Sequence, residues 1–159
     1  MTADRRRARQ DVCMPVDVVS EVMIEAPLAR VASFAGDPSN VTRWYKNISS
    51  VEWLTPKPVQ VGSKVAFVAQ FLGRTLRYTY EIVELVERER LVMRTAEGPF
   101  PMETTYTWTS VGDDRTRMTL RNRGEPAGFS KMMAPLMVPA MRRANRKDLA
   151  TLASILEAP

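Results

Sequence analysis

Between Ser50 and Arg123 the chain is a succession of short segments in which apolar and polar residues alternate, each segment bounded by turn signals. A period of two is the repeat of a strand with one buried face. The stretch therefore reads as consecutive hairpins forming an antiparallel meander. Its segments are Val51 to Leu54, broken by Pro56 and Pro58, and Lys64 to Leu72, turned at Gly73-Arg74 into a long strand from Thr75 to Val86. After the polar turn Glu87 to Glu89 comes Arg90 to Thr95. Beyond the loop Gly98-Pro99-Phe100-Pro101 lies Met102 to Ser110, and the hairpin signal Gly112-Asp113-Asp114 leads into Arg115 to Arg123. A seventh strand precedes them: over Val16 to Glu25, Val18, Ser20, Val22 and Ile24 alternate with Val19, Glu21, Met23 and Glu25.

The helical signals lie on either side of the meander. Pro27 suits the first turn of a short helix through Val31 and Phe34 that stops near Gly36-Asp37-Pro38. A second short helix from about Ser39 to Lys46 carries Trp44 and Tyr45. Phe129 to Glu157 is helical in pattern, with Pro135 and Pro139 breaking or kinking its first turns. After Pro139 the stripe Met141, Asn145, Leu149, Leu152, Leu156 falls at helix spacing. The order is strand, two short helices, six strands, long helix, an α+β domain over residues 16–159, with residues 1–15 expected to form a disordered basic arm.

Composition narrows the chemistry. There is no histidine, and Cys13 is the single cysteine. Intrachain disulfides, the usual zinc sites and histidine-dependent nucleophilic systems are thereby excluded. Any reaction must run on carboxylates, Tyr, Lys or Arg, and no metal or cofactor is expected. The net charge is +5, of which the four Arg and two Asp of residues 1–15 contribute +2. No apolar run approaches the roughly 18–20 residues that a membrane helix needs. No apolar segment follows the basic start, so a cytoplasmic location is expected.

The order of these elements, with particular short motifs, resembles the START-like (SRPBCC) superfamily. That group takes in lipid-binding domains, polyketide cyclases and aromatases, and the birch-pollen allergen, and the polyketide cyclase/dehydrase branch is the most similar. The residues that carry the resemblance are Val22-Met23-Ile24-Glu25-Ala26-Pro27 leading to Val31 and Phe34, then Asp37-Pro38, Trp44 and Gly62. They continue with Tyr80-Glu81-Ile82-Val83-Glu84, Arg90-Leu91, Thr116-Arg117-Met118-Thr119 and the ending Ile155-Leu156-Glu157. The resemblance spans about residues 16–157. It implies a helix-grip fold, in which a curved seven-stranded antiparallel sheet wraps the long C-terminal helix and encloses a pocket for a hydrophobic small molecule. It leaves the chemistry open, because superfamily members include both carriers and enzymes.

Strand parity and the helix stripe nominate the pocket residues: Tyr78 and Tyr80 on one strand, Tyr106 and Trp108 on a second, Met118 on a third, and Met137 and Met141 from the helix. Ten methionines, with Met132, Met133, Met137 and Met141 near the helix start, suit either an adaptable pocket lining or ordinary packing. Asn145 interrupts the apolar stripe. It is either solvated at the edge of a narrower stripe, the more ordinary arrangement, or buried and in need of partners. Trp44 suits a core plug, and Tyr45 suits a gate at the pocket mouth. Parity also puts Tyr78, Tyr80 and Glu84 on one face, a set able to do acid–base work in a cofactor-free cyclase or dehydratase. Charged strand residues in antiparallel sheets usually face water, which weighs against that set. Finally, Arg142, Arg143, Arg146 and Lys147 pair at spacings of four into a positive helix side. That side would suit an anionic partner, or be a plain solvated face; few aromatics are interleaved, which disfavours nucleic acid. Three functions stay open: a binder of a lipid or aromatic polyketide, a cofactor-free cyclase or aromatase, and a module acting on a protein partner through the basic face.

Overall fold

The computed structural model describes residues 16–125 and 134–159. The expected arm at residues 1–15 and the first part of the expected helix, Phe129 to Met133, lie outside the described residues. Strand β1 (Val16–Ile24) is followed by helix α1 (Leu28–Ala35), a 3-10 turn at Pro38–Asn40 and helix α2 (Val41–Trp44). Six strands follow: β2 (Ile48–Trp53), β3 (Lys64–Phe71), β4 (Arg74–Val86), β5 (Arg90–Glu97), β6 (Met102–Ser110) and β7 (Thr116–Gly124). Helix α3 (Ala134–Glu157) comes last.

The strands form one antiparallel, curled sheet in the order β1-β7-β6-β5-β4-β3-β2, with short helices between its first two strands. This is the helix-grip architecture. The meander is local, each strand lying beside its predecessor, and the one long-range pairing brings β1 back against β7. Leu72 (φ 49°) and Gly73 (φ 73°) both take the left-handed conformation between Phe71 and Arg74. Two such residues in a two-residue loop make the hairpin turn whose twist matches the strands.

The concave face of the sheet packs against α1, α2 and α3. On β1, Val16, Val18, Ser20 and Ile24 point inward, while Asp17, Val19 and Glu21 face out. On α3, Leu149, Leu152 and Leu156 are at most 2% exposed, and burial of each contributes about 1.5–3 kcal/mol. They join Trp44, Ile82 and Leu120 in the main core. Pro139 lies inside α3 rather than before it. Lacking an N–H, it removes one helical hydrogen bond without ending the helix. Gly36 closes α1 where there is no room for a side chain: a Cβ there would sit 2.6 Å from the Ala32 carbonyl oxygen and 3.3 Å from the Trp108 ring.

One irregularity changes the reading of a site. On β4, Ile82 pairs with Met93 but Glu84 pairs with Val92, so Val83 is an extra residue in the ladder. Such a bulge inverts the parity beyond it. Tyr78, Tyr80 and Ile82 face the core, and so does Leu85, whereas Glu84 turns outward and pairs with Arg90 at 2.8 Å. The expected Tyr78–Tyr80–Glu84 face is not assembled.

Candidate functional site

Two adjoining cavities lie inside the curl of the sheet, one of about 140 Å³ beneath the middle of α3 and one of about 80 Å³ beside α2. They share Tyr45, Ile48, Tyr78, Tyr80 and Asn122 as walls. The larger is roofed by Met141, Ala144, Asn145 and Asp148 of α3; Phe67, Met93 and Tyr106 close the smaller one.

Each tyrosine is placed by its element. Tyr78 and Tyr80 stand two residues apart on the inner face of β4, opposite Phe67 and Val65. Their rings meet edge-on at 5.1 Å, and Phe67 stacks on Tyr78 at 5.6 Å. Tyr45 caps the C-terminus of α2 in an extended conformation, which turns its hydroxyl to within 2.8 Å of the Tyr106 hydroxyl. The Thr104 hydroxyl donates to Asn122 Oδ1 at 2.9 Å, so its oxygen accepts from the Tyr80 hydroxyl at 3.1 Å.

Burial governs the ionisation of these groups. It pushes all four phenols, Tyr45, Tyr78, Tyr80 and Tyr106, above their ordinary pKa. For Tyr45 the neighbouring Tyr106 adds to the rise. Hydrogen bonds partly offset it for Tyr80, through Thr104 and Thr95, and for Tyr106, through Tyr45. At neutral pH they are uncharged donors and cannot serve as phenolate bases. Among the described residues, Asp148 is the one carboxyl group in the lining. Burial pushes it up to about 6, against the opposing effect of the Lys46 backbone N–H, which donates to Asp148 Oδ1 at 3.1 Å.

Asn145 is only 5% exposed, so it is not the solvated edge residue that the ordinary reading of the stripe implied. The Nδ2 of its amide is buried without a hydrogen-bond partner among the described residues. Leaving such a donor unpaired costs about 1–3 kcal/mol.

Of the expected pocket residues, the structure gathers Tyr45, Tyr78, Tyr80, Tyr106, Met141 and Asn145 around these cavities. Three others lie elsewhere. Trp108 packs against Gly36 beneath α1, where it borders a separate open groove. Met118 is wholly enclosed in the main core, and Met137 belongs to a smaller cluster with Val16 and Val18. All three point inward as parity implies, but the sheet curls over a length greater than the cavity occupies. Trp44 is fully buried in the core. Arg142, Arg143, Arg146 and Lys147 lie away from the cavities on α3, Arg142, Arg143, Arg146 and Lys147 forming its more exposed side.

Asp148 and the Thr104–Asn122 pair escape a reading of the sequence alone. The signal for Asp148 is its position, three residues after Asn145 and four before Leu152, on the same helix stripe. Nothing local marks Thr104 and Asn122, which meet only through the pairing of β6 with β7.

A curled sheet closed over a long helix, with a largely apolar cavity between them, defines a helix-grip domain. The chain belongs to the family described as polyketide cyclase/dehydrase and lipid transport, whose profile matches residues 15–157. It is similar in fold to TTHA0849 from Thermus thermophilus, with 24% identity and a TM-score of 0.75 over 87% of this chain and 95% of that one. It is also similar to the Zhui aromatase/cyclase from a Streptomyces species, with 16% identity and a TM-score of 0.77 over 90% and 94% of the two chains. A START superfamily protein from Mycobacterium smegmatis matches with 15% identity and a TM-score of 0.77 over 89% and 97%. At these identities the likeness establishes the fold alone. None of the curated proteins matches the chain. Among the described residues, no helix is long and apolar enough to cross a membrane.

Proposed function

We propose that this protein binds a hydrophobic small molecule, of lipid or aromatic polyketide type, in the cavities between the sheet and α3. The observation that carries the reading is the unpaired, buried Asn145 amide beside a cavity walled mainly by apolar and aromatic side chains. A folded chain that keeps a cavity of about 140 Å³ and an unpaired donor side by side gives up stability that a guest would restore. Similarity to both a START protein and an aromatase/cyclase supports a pocket without choosing its chemistry.

A second reading, a cofactor-free cyclase or dehydratase, is favoured by Asp148, whose pKa of about 6 suits a general base working near neutrality. Native mass spectrometry of gently purified protein, followed by extraction, tests the binding reading. A stoichiometric apolar molecule is the expected result. Protein that arrives empty, and that no flat aromatic or lipid stabilises thermally, overturns it. The second reading expects Asp148→Asn to lower turnover of any identified substrate by roughly 100-fold; unchanged turnover would dismiss it.

A further inference from the structure

Asn145 and Asp148 stand three residues apart on α3, which puts them on one helix face with Cβ atoms about 5–6 Å apart. Both line the larger cavity, and both are almost fully buried, at 5% and 3% exposure. Asn145 brings an amide donor with no partner. Asp148 brings a carboxylate whose Oδ1 accepts one backbone hydrogen bond, from Lys46, and a carboxylate has room for about four. An unused donor thus sits one helical turn from an unsaturated acceptor, and a single group that both accepts and donates would serve the two together.

We propose, on the reading that this cavity holds an apolar guest, that the guest carries an uncharged hydroxyl group that accepts a hydrogen bond from the Asn145 amide and donates one to the Asp148 carboxylate. The other common polar ends fit less well. A ketone oxygen satisfies Asn145 and leaves Asp148 as it was. An ammonium pairs with Asp148 but has nothing to offer a donor. A carboxylate would face Asp148 with no compensating cation, since among the described residues no Lys or Arg side chain lines either cavity. Rotation about the soft terminal torsion of Asn145 swings its nitrogen toward the space the residue already borders. The larger cavity, of about 140 Å³, is close in size to the engineered cavity of about 150 Å³ known to admit benzene, so a probe with a small apolar body can enter it.

Four probes on one skeleton separate these cases: indane, its ketone, its amine and its alcohol. Each is titrated calorimetrically into the unmodified protein at pH about 7.5, so no variant has to fold for the comparison to stand. The alcohol is expected to bind roughly ten-fold or more tightly than indane, and more tightly than the ketone or the amine. Asn145→Leu and Asp148→Leu should each remove most of that advantage while leaving indane bound. If indane binds and the alcohol gains nothing, or if the ketone or amine equals it, the hydroxyl assignment is wrong and the cavity reading survives. If no probe binds, the hydroxyl assignment falls, and the cavity reading falls with it only where the protein also arrives empty and no lipid stabilises it.

Discussion

Asp148 is the residue of the site whose surroundings move its titration toward neutral pH. Its carboxyl holds a proton up to a pH of about 6, because burial penalises the charge more than the Lys46 backbone N–H rewards it. Lys46, Tyr45 and Tyr106 are the titratable groups acting on it or on which it acts. In the unfolded chain the same group titrates near 3.8. Below that value both states carry the proton and the group costs nothing. As the pH rises from about 4 to 6 the unfolded chain ionises first, so stability falls across this window and stays lower above it. The loss is on the order of 1–3 kcal/mol, toward the smaller figure where water reaches the carboxylate. Asp148→Asn keeps an oxygen for the Lys46 N–H and removes the titration. Urea unfolding at pH values from about 4 to 7 should show a flatter profile for the variant and greater stability than the parent at neutral pH. Identical slopes for the two proteins would mean that Asp148 is not the group responsible.

Elements were easier to read than the faces they present. Strand β6 runs from Met102 to Ser110 as its alternation implies, because local turn chemistry at Gly98 to Pro101 and at Gly112 bounds it on both sides. The 3-10 turn at Pro38–Asn40 and the short α2 are likewise marked, by Asp37, whose side chain accepts from the Ser39 N–H at 2.9 Å. Which way Glu84 points was not legible. The bulge at Val83 arises from how β4 meets β5, a tertiary adjustment with no glycine or proline to announce it. The sequence leaves Asn145 open between edge and interior for a related reason: its burial depends on how closely the curled sheet approaches α3, which helix periodicity does not encode. The corrected orientation of Glu84 carries an expectation. Its partner Arg90 and its own side chain are each more than two-fifths exposed, so the ion pair is a surface one. Glu84→Gln should change stability by less than about 1 kcal/mol, with any guest still bound at its original affinity. A loss of binding in this variant would return Glu84 to the site.

Over the whole molecule, the cavity is the place where packing stops short. The sheet meets α3 tightly at Leu149, Leu152 and Leu156, yet opens from it at Met141 to Asp148. The C-terminal half of the helix thus holds the fold together while the preceding turns roof the open space. Interiors are normally packed to the density of organic crystals, so a void of about 140 Å³ beside a well-filled core is a feature that can be removed without dismantling the rest. Ala144 is the position from which to remove it, because it lies on the roof between Met141 and Asn145 and projects the smallest side chain there. In Ala144→Trp the indole should enter the cavity, gaining apolar burial and displacing any guest. Circular dichroism should be unchanged, and stability should shift by no more than the roughly 1–3 kcal/mol that a forced fit can cost. Uptake of a guest should be lost outright. If the variant folds and still takes up the same molecule, the site lies elsewhere, and the separate open groove beside Trp108 and Gly36 becomes the surface to test.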